Sequence, residues 1–280
     1  MSLKGKTMLI SGGSRGIGLA IGLRAAHDGA NVAVIGKTGA PDPRLPGTVF
    51  TAAEEIERAG GKALPLVADI RDEASVDSAI AQTIAKFGGL DILINSASAI
   101  SLTGTLSTPM KRYDLMHQIN LRGTFMVSQK AIPHLRQSKN AHVINLSPPL
   151  DWKIHWFAPH VAYSIAKFGM SLCAWAMADE FRKDGIAFNC LWPRTAIATA
   201  AIQNVLGGEE AMKRCRKPEI MADAAHAILL RDSRICTGNF FIDDDVLREE
   251  GVVDFDQYAV SPGLPLVPDF FVPGNVSPFQ

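Results

Sequence analysis

The sequence predicts a single doubly wound α/β domain, a parallel sheet with helices on both faces, and three observations carry that expectation. Short apolar runs rich in β-branched residues alternate with longer segments of helical period. A glycine cluster, "SGGSRGIG" at 11–18, closes the first run and opens the first helix. The 280 residues are 47% hydrophobic and 20% charged, a balance that suits one large buried core and lies far from that of disordered chains.

The elements follow in order. "TMLIS" (7–11) reads as strand one and 16–28 as its helix; "NVAVIG" (31–36) leads to helix 51–59, and "ALPLVADI" (63–70) to helix 73–87. "LDILINS" (90–96) precedes a helix near 112–137, "HVINLS" (142–147) one near 162–183, and "IAFNCLWP" (186–193) the segment 196–206; "NFFID" (239–243) adds a last strand. Near-continuous apolar strands joined by helical crossovers imply a parallel sheet buried on both faces. Between strand two and its helix, "KTGAPDPRLPGTVF" (37–50) holds three prolines and two glycines and reads as a loop. Residues 1–257 are the expected domain, and 258–280 a proline-rich extension. Proline density there excludes a helix, while Phe270, Phe271 and Phe279 argue against a solvated tail. The extension is expected to lie extended along its own subunit or a neighbour.

Composition excludes several partners. The formal net charge is zero, so no basic field points to nucleic acid and no lysine-rich face to a membrane surface. Cys173, Cys190, Cys215 and Cys236 show no CxxC pairing, and no secretory segment precedes Ser11, so a reducing compartment, the cytoplasm, is expected. Cys173 and Cys190 lie in apolar runs and read as buried small hydrophobes. Apolar stretches such as "FGMSLCAWAMA" are about half the length that spans a bilayer, so no membrane anchor is expected. Neither a peroxisomal C-terminal signal nor a transit peptide is evident. The histidines show no ligand spacing, and no metal is expected.

Gly12, Gly16 and Gly18 allow a tight turn and let a pyrophosphate approach the amides at the positive end of the helix. Glycines also serve plain strand-to-helix turns; the position after strand one favours a dinucleotide. An NAD site usually ends strand two with a carboxylate for the ribose hydroxyls. Here that position is Gly36, followed by Lys37, and Arg15 adds a second cation. A 2′-phosphate would meet attraction rather than repulsion, so NADP (as NADPH) is expected ahead of NAD, unless both cations are simply solvated.

Tyr163 and Lys167, four apart, share a helix face. A tyrosine ionises near pH 10, so a phenolate working near neutrality needs the neighbouring ammonium. Ser147, at the end of its strand, is expected to hydrogen-bond the substrate oxygen.

Together, Gly12, Gly16, Gly18, Asp69, "NSAS" at 95–98, Asn120, Ser147 and "YSIAK" resemble the short-chain dehydrogenase/reductase pattern over about residues 5–245. The resemblance implies a Rossmann-type fold, a nicotinamide cofactor and a small-molecule carbonyl or alcohol substrate. It also implies a homodimer or homotetramer paired through helices 112–137 and 162–183. It places Ser14 and Ile17 in the phosphate loop, Asp69 at the adenine, and Asn95, Ser96 and Ala97 in close approach to the cofactor. Asp69 could equally cap a helix. By the same resemblance, Asn120 anchors a water that links Lys167 to solvent; capping or kinking a helix is the alternative. Pro193 keeps the proline of the family's Pro-Gly turn while Arg194 replaces the glycine, and Ile197 and Thr199 fall where carboxamide and phosphate contacts are expected. Within the family, "NLSPPL", "TGNF" and "PDFF" resemble a group in which a sterol-carrier domain often follows; since the sequence stops at residue 280, that carrier is expected to be absent.

The loop between Ser147 and Tyr163 is longer than the family's commonest. It brings Trp152, His155, Trp156 and Phe157 near the expected reacting carbon, either as a pocket wall or as core. Segment 194–216 falls where the family has a substrate lid. Wall and lid point to a fatty or sterol-like substrate. Three functions fit: a carbonyl–alcohol oxidoreductase, a cofactor-binding sensor or scaffold with lapsed chemistry, and a lyase or epimerase using transient oxidation.

Overall fold

Each central strand divides its side chains between two cores. The computed structural model describes residues 2–42 and 47–274, so residues 43–46 of the expected loop and Phe279 lie outside it. Seven parallel strands are β1 (Thr7–Ser11), β2 (Asn31–Gly36), β3 (Lys62–Val67), β4 (Ile92–Asn95), β5 (Ala141–Asn145), β6 (Ile186–Trp192) and β7 (Phe240–Ile242). They hydrogen-bond in the order β3-β2-β1-β4-β5-β6-β7. With a side-chain period of two, Met8, Ile10, Val32, Val34, Ile92 and Ile94 enter one core. Leu9, Ala33, Ile35, Leu93, Val143 and Phe188 enter the other.

The first core is closed by α1 (Gly16–His27), α2 (Val49–Arg58) and α8 (Glu219–Leu229); the second by α3 (Glu73–Phe87), α5 (Thr124–Leu135) and α6 (Val161–Glu180). Helix α2 starts two residues earlier than expected because Thr48 and Thr51 form a reciprocal cap. Strand β3 stops at Val67 and β4 spans only four residues, shorter than their apolar runs. Pro65 is tolerated because β3 is an edge strand. The expected helix 112–137 is α4 (Met110–Met116), a π-helical stretch His117–Gly123, and α5. Three helices were not anticipated: α7 (Gly208–Lys213), α8 and α9 (Asp243–Glu249).

Helix α6 is 20 residues long and, by length and composition alone, apolar enough to cross a membrane, longer than its central apolar run implied. Here it is a core helix, with 12 of its residues buried. Cys190, Cys215 and Cys236 are buried, but Cys173 on α6 is only half-buried because it sits beside the helix's exposed stripe.

After α9 the chain returns as an extended strap across the carboxyl ends of the strands. Val260 N–H donates to Cys215 O at 2.9 Å, Val267 N–H to Arg214 O at 2.9 Å, Ala196 N–H to Val267 O at 2.9 Å and Asp269 N–H to Arg194 O at 3.0 Å. The strap is thereby stitched to both ends of segment 194–216, which contains the short helix α7 (Gly208–Lys213). At its tip Phe270, Phe271 and Val272 are buried with Trp156, Tyr163, Phe168 and Trp192 in a third core. Phe271 adopts φ +62°, a left-handed conformation that costs a non-glycine residue about 1–2 kcal/mol. Complete burial among six aromatic rings offsets it.

Candidate active site

Strands β1 and β4 are neighbours whose onward connections run to opposite halves of the sheet, so a crevice opens above their carboxyl ends. A cavity of about 740 Å³ lies in it. Gly12 and Gly16 turn the chain with φ +72° and +55°. A β-carbon at Gly12 would lie 2.7 Å from the Ala97 backbone, and one at Gly18 would lie 2.5 Å from Gly12 O. No side chain caps the first turn of α1, so its amides are left for an anion. The lining therefore fits a dinucleotide: an open helix N-terminus, a glycine turn with no room for side chains, and a volume within the usual range for ligand sites.

Of the residues expected at the cofactor, Gly12, Ser14, Arg15, Gly16, Ile17, Lys37, Asp69, Ser96, Ala97, Pro193, Ile197 and Thr199 line the cavity, joined by Tyr163 and Lys167. Gly18, Asn95, Asn120 and Ser147 stand behind its wall. Gly18 packs α1 against the turn. Asn95 is buried and donates to Asn145 Oδ1 at 2.8 Å and Ser128 Oγ at 3.0 Å, tying β4 to β5 and α5. Asn120 sits in the π-helical stretch, accepts from Ala99 N–H at 2.7 Å and donates to Ala99 O at 2.9 Å. Its side chain pins the loop after β4.

Ser147 departs most from expectation. The chain turns as β5 ends, with Ser147 N–H donating to Asn145 O at 2.9 Å, and the hydroxyl points back to Cys190 Sγ on β6 at 3.3 Å. It is fully buried.

Asp69 does not cap α3; Asp72 does, accepting from Ser75 N–H. Asp69 instead receives Arg71 in a fork, at 2.6 Å for the shortest contact, and Lys37 at 3.4 Å. The Arg71 hydrogen bonds hold its carboxyl down near 2. Arg15 donates to Gly47 O at 2.7 Å.

Lys167 donates to Leu146 O at 2.8 Å and lies 5.0 Å from the Trp192 ring. Burial pushes its ammonium down to about 8, a change that the nearby Asp269 opposes. Burial, and then the Asp269 charge, push the Tyr163 phenol above its ordinary value. The phenol is thus a protonated group at neutral pH.

The tryptophan-bearing loop does not wall the cavity. Trp156 is 1% exposed and belongs to the third core, while Trp152 is 65% exposed and stacks on Phe157 at 6.0 Å. The apolar wall comes instead from Ile100, Ile119, Leu146, Trp192, Ile202 and Phe270. A second cavity of about 400 Å³ shares Ile202, Asp269 and Phe270 with the first and runs between segment 194–216 and the strap. Asp269 was missed as a site residue. Its signal was the short apolar "PDFF" island among prolines, which marks a segment tied into the core.

Arg194, standing for the turn glycine, keeps a negative φ and uses its side chain. It reaches Asp244 Oδ1 at 2.7 Å and Asp245 Oδ2 at 2.6 Å, and its N–H donates to Asp243 Oδ1 at 2.9 Å.

The sequence profile of the family described as short chain dehydrogenase matches residues 6–208. The chain belongs to the short-chain dehydrogenase/reductase family. It is 60% identical over 273 residues to hydroxysteroid dehydrogenase-like protein 2 of Danio rerio, covering 98% of this chain and 65% of that protein. It is 54% identical over 270 residues to the protein of that name from Homo sapiens, covering 96% of this chain and 64% of that one. This short-chain dehydrogenase chain therefore spans just under two thirds of the length of these curated relatives. A crystal structure of a short chain dehydrogenase from Mycobacterium thermoresistibile is 54% identical with a TM-score of 0.92, covering 98% of this chain and 99% of that one. A solved chain from Xanthomonas campestris is 51% identical with a TM-score of 0.94, covering 97% and 99%. The single seven-stranded parallel sheet is the Rossmann-type fold of the family, and membership implies a nicotinamide dinucleotide cofactor and oxidoreductase chemistry.

Proposed function

We propose that the chain is an NADP(H)-dependent oxidoreductase that interconverts a hydrophobic carbonyl compound and its secondary alcohol, with Tyr163 as the proton-transferring group. The observation that carries this reading is that Tyr163 and Lys167 line the same cavity as the glycine turn. The nicotinamide, when bound, supplies or accepts the hydride. Tyr163 gives its proton to the reacting oxygen, and Lys167, held by Leu146 O, steadies the phenolate that remains. A phenol pushed above its ordinary value favours the proton-donating, carbonyl-reducing direction at neutral pH. Preference for NADP is supported by the lack of a carboxylate at Gly36 and by Lys37 and Arg15 beside it.

The apolar wall and the side cavity support a fatty or sterol-like substrate, in keeping with the name of the Danio rerio relative. A cytoplasmic or other reducing compartment is part of the reading, supported by four unpaired cysteines. One observation favours a second reading, a cofactor-binding sensor without turnover: Ser147 turns from the cavity to Cys190.

An NADPH-oxidation screen over carbonyls graded by chain length and ring content separates the two. The oxidoreductase reading expects turnover that Tyr163→Phe lowers by about 10²–10⁴-fold while NADPH binding persists. Cofactor binding with no turnover across the panel would favour the sensor.

A further inference from the structure

The expected partner of the substrate oxygen is turned away from it. Ser147 donates to Cys190 Sγ, and the residues that follow, Pro148 and Pro149, carry neither an N–H nor a hydroxyl. Leu146 O already accepts from Lys167. A polar side chain does reach the cavity beside Tyr163 and Lys167, but from the far end of the chain. Asp269 lines both cavities where they meet, near enough to Tyr163 and Lys167 that its carboxyl, when ionised, raises both of them. Its position is tightly held. Asp269 N–H donates to Arg194 O at 3.0 Å, its Oδ1 accepts from Phe270 N–H at 2.7 Å, and Trp192 Nε1 donates to Phe270 O at 2.8 Å. The buried Phe271 anchors the next residue.

We propose that Asp269 takes the absent serine's part, its protonated carboxyl donating a hydrogen bond to the carbonyl oxygen that Tyr163 protonates. This rests on the carbonyl-reducing reading above. In that reduction the carbonyl carbon gains the hydride that NADPH gives up in becoming NADP⁺. The carbon–oxygen π pair moves to oxygen, and the Tyr163 proton joins it there. Asp269 lends a hydrogen bond and keeps its own proton.

Among the described residues, the groups that act on Asp269 include Lys167 and Tyr163 from α6, Asp243 at the head of α9 and Cys215 after α7, and the Arg194 carbonyl at the end of β6 accepts from its N–H. The Arg194 guanidinium pairs with Asp244 and Asp245. Burial, with Asp243 adding to it and the Phe270 N–H and Lys167 opposing, lifts the Asp269 carboxyl to about 7. A carboxylic acid kept neutral in an apolar site is a good hydrogen-bond donor to a developing oxyanion. The donor is present below that value and lost as pH rises through it.

The test uses the full chain, a carbonyl substrate from the screen, and kcat and KM measured from about pH 5.5 to 9. Asp269→Ala is expected to lower kcat by about 10²-fold with a smaller change in KM. The unsubstituted protein is expected to lose kcat above about pH 7, and Asp269→Asn, whose amide also donates, is expected to restore most of the Asp269→Ala loss and to abolish that decline. Unchanged kcat in Asp269→Ala, or the same alkaline decline in Asp269→Asn, overturns the proposal. If Asp269→Ala fails to fold or to bind NADPH, the Asn pH profile decides alone. The two readings fail separately: no carbonyl reduced by the unsubstituted protein defeats the functional reading and this inference with it. Turnover that needs Tyr163 but not Asp269 defeats this inference only.

Discussion

Gly36 ends β2 without a carboxylate, and the next side chain, Lys37, is 57% exposed yet leans on Asp69 at 3.4 Å. Such an exposed pair contributes little to stability, so Lys37 is free in energetic terms to exchange Asp69 for a 2′-phosphate. Lys37→Ala is therefore expected to weaken NADPH by about 10-fold and NADH hardly at all, read as kcat/KM for each cofactor. A clear preference of the unsubstituted protein for NAD would refute the assignment. Tyr163 and Lys167 were legible as a pair because four-residue spacing on one helix leaves no choice of face. Ser147 was not legible in the same way. Where a strand ends, the direction of a side chain follows the local turn, and a hydrogen bond from Ser147 N–H to Asn145 O aims this hydroxyl at β6.

Between elements, Asp28 at the end of α1 binds three partners. It accepts from Leu3 N–H at 2.8 Å and from His226 of α8 at 2.9 Å, and pairs with Arg24 at 3.3 Å. Burial alone would raise its carboxyl, but the hydrogen bonds from His226 and Leu3 outweigh it and bring the group to about 2. A folded-state value below the ordinary one stabilises the fold above about pH 4, and that stability is lost as pH falls toward 2. Asp28→Asn should then cost on the order of 1 kcal/mol at pH 7 once solvent screening is allowed for, and almost nothing near pH 2. Chemical denaturation at the two pH values measures it; an equal loss at both would remove the charge from the explanation. The helix α8 that supplies His226 was not read from the sequence, although Ile220, Met221, Ala224, Ala225, Ile228 and Leu229 recur at helical spacing on its buried face.

For the whole molecule, one exposed stripe is out of keeping with a finished surface. Ile165, Leu172 and Trp175 recur along the outer side of α6, and Phe125 is exposed on α5. Spacings of seven and three keep the three α6 residues on one side of the helix. Large apolar groups aligned on helices fit association with a second copy through α5 and α6, the pairing that the sequence resemblance implied. Trp175, 57% exposed in a single chain, would be covered there. Trp175→Glu is expected to shift sedimentation from an oligomer toward the monomer while leaving the thermal transition within a few degrees. A protein monomeric before substitution would refute the surface's role.

The sequence by itself determined the order of strands and crossovers, the glycine turn and the Tyr163–Lys167 pair, because each is written in a short-range period or spacing that local geometry obeys. Only the tertiary structure decided which side chains face the cavity. Ser147, Asn95 and Trp156 turn inward, and Asp269, 102 residues beyond Lys167, arrives beside it. That outcome depends on how the strap packs against β6, α6 and segment 194–216. Contacts between residues so far apart along the chain follow from shape and burial, and no local pattern encodes them.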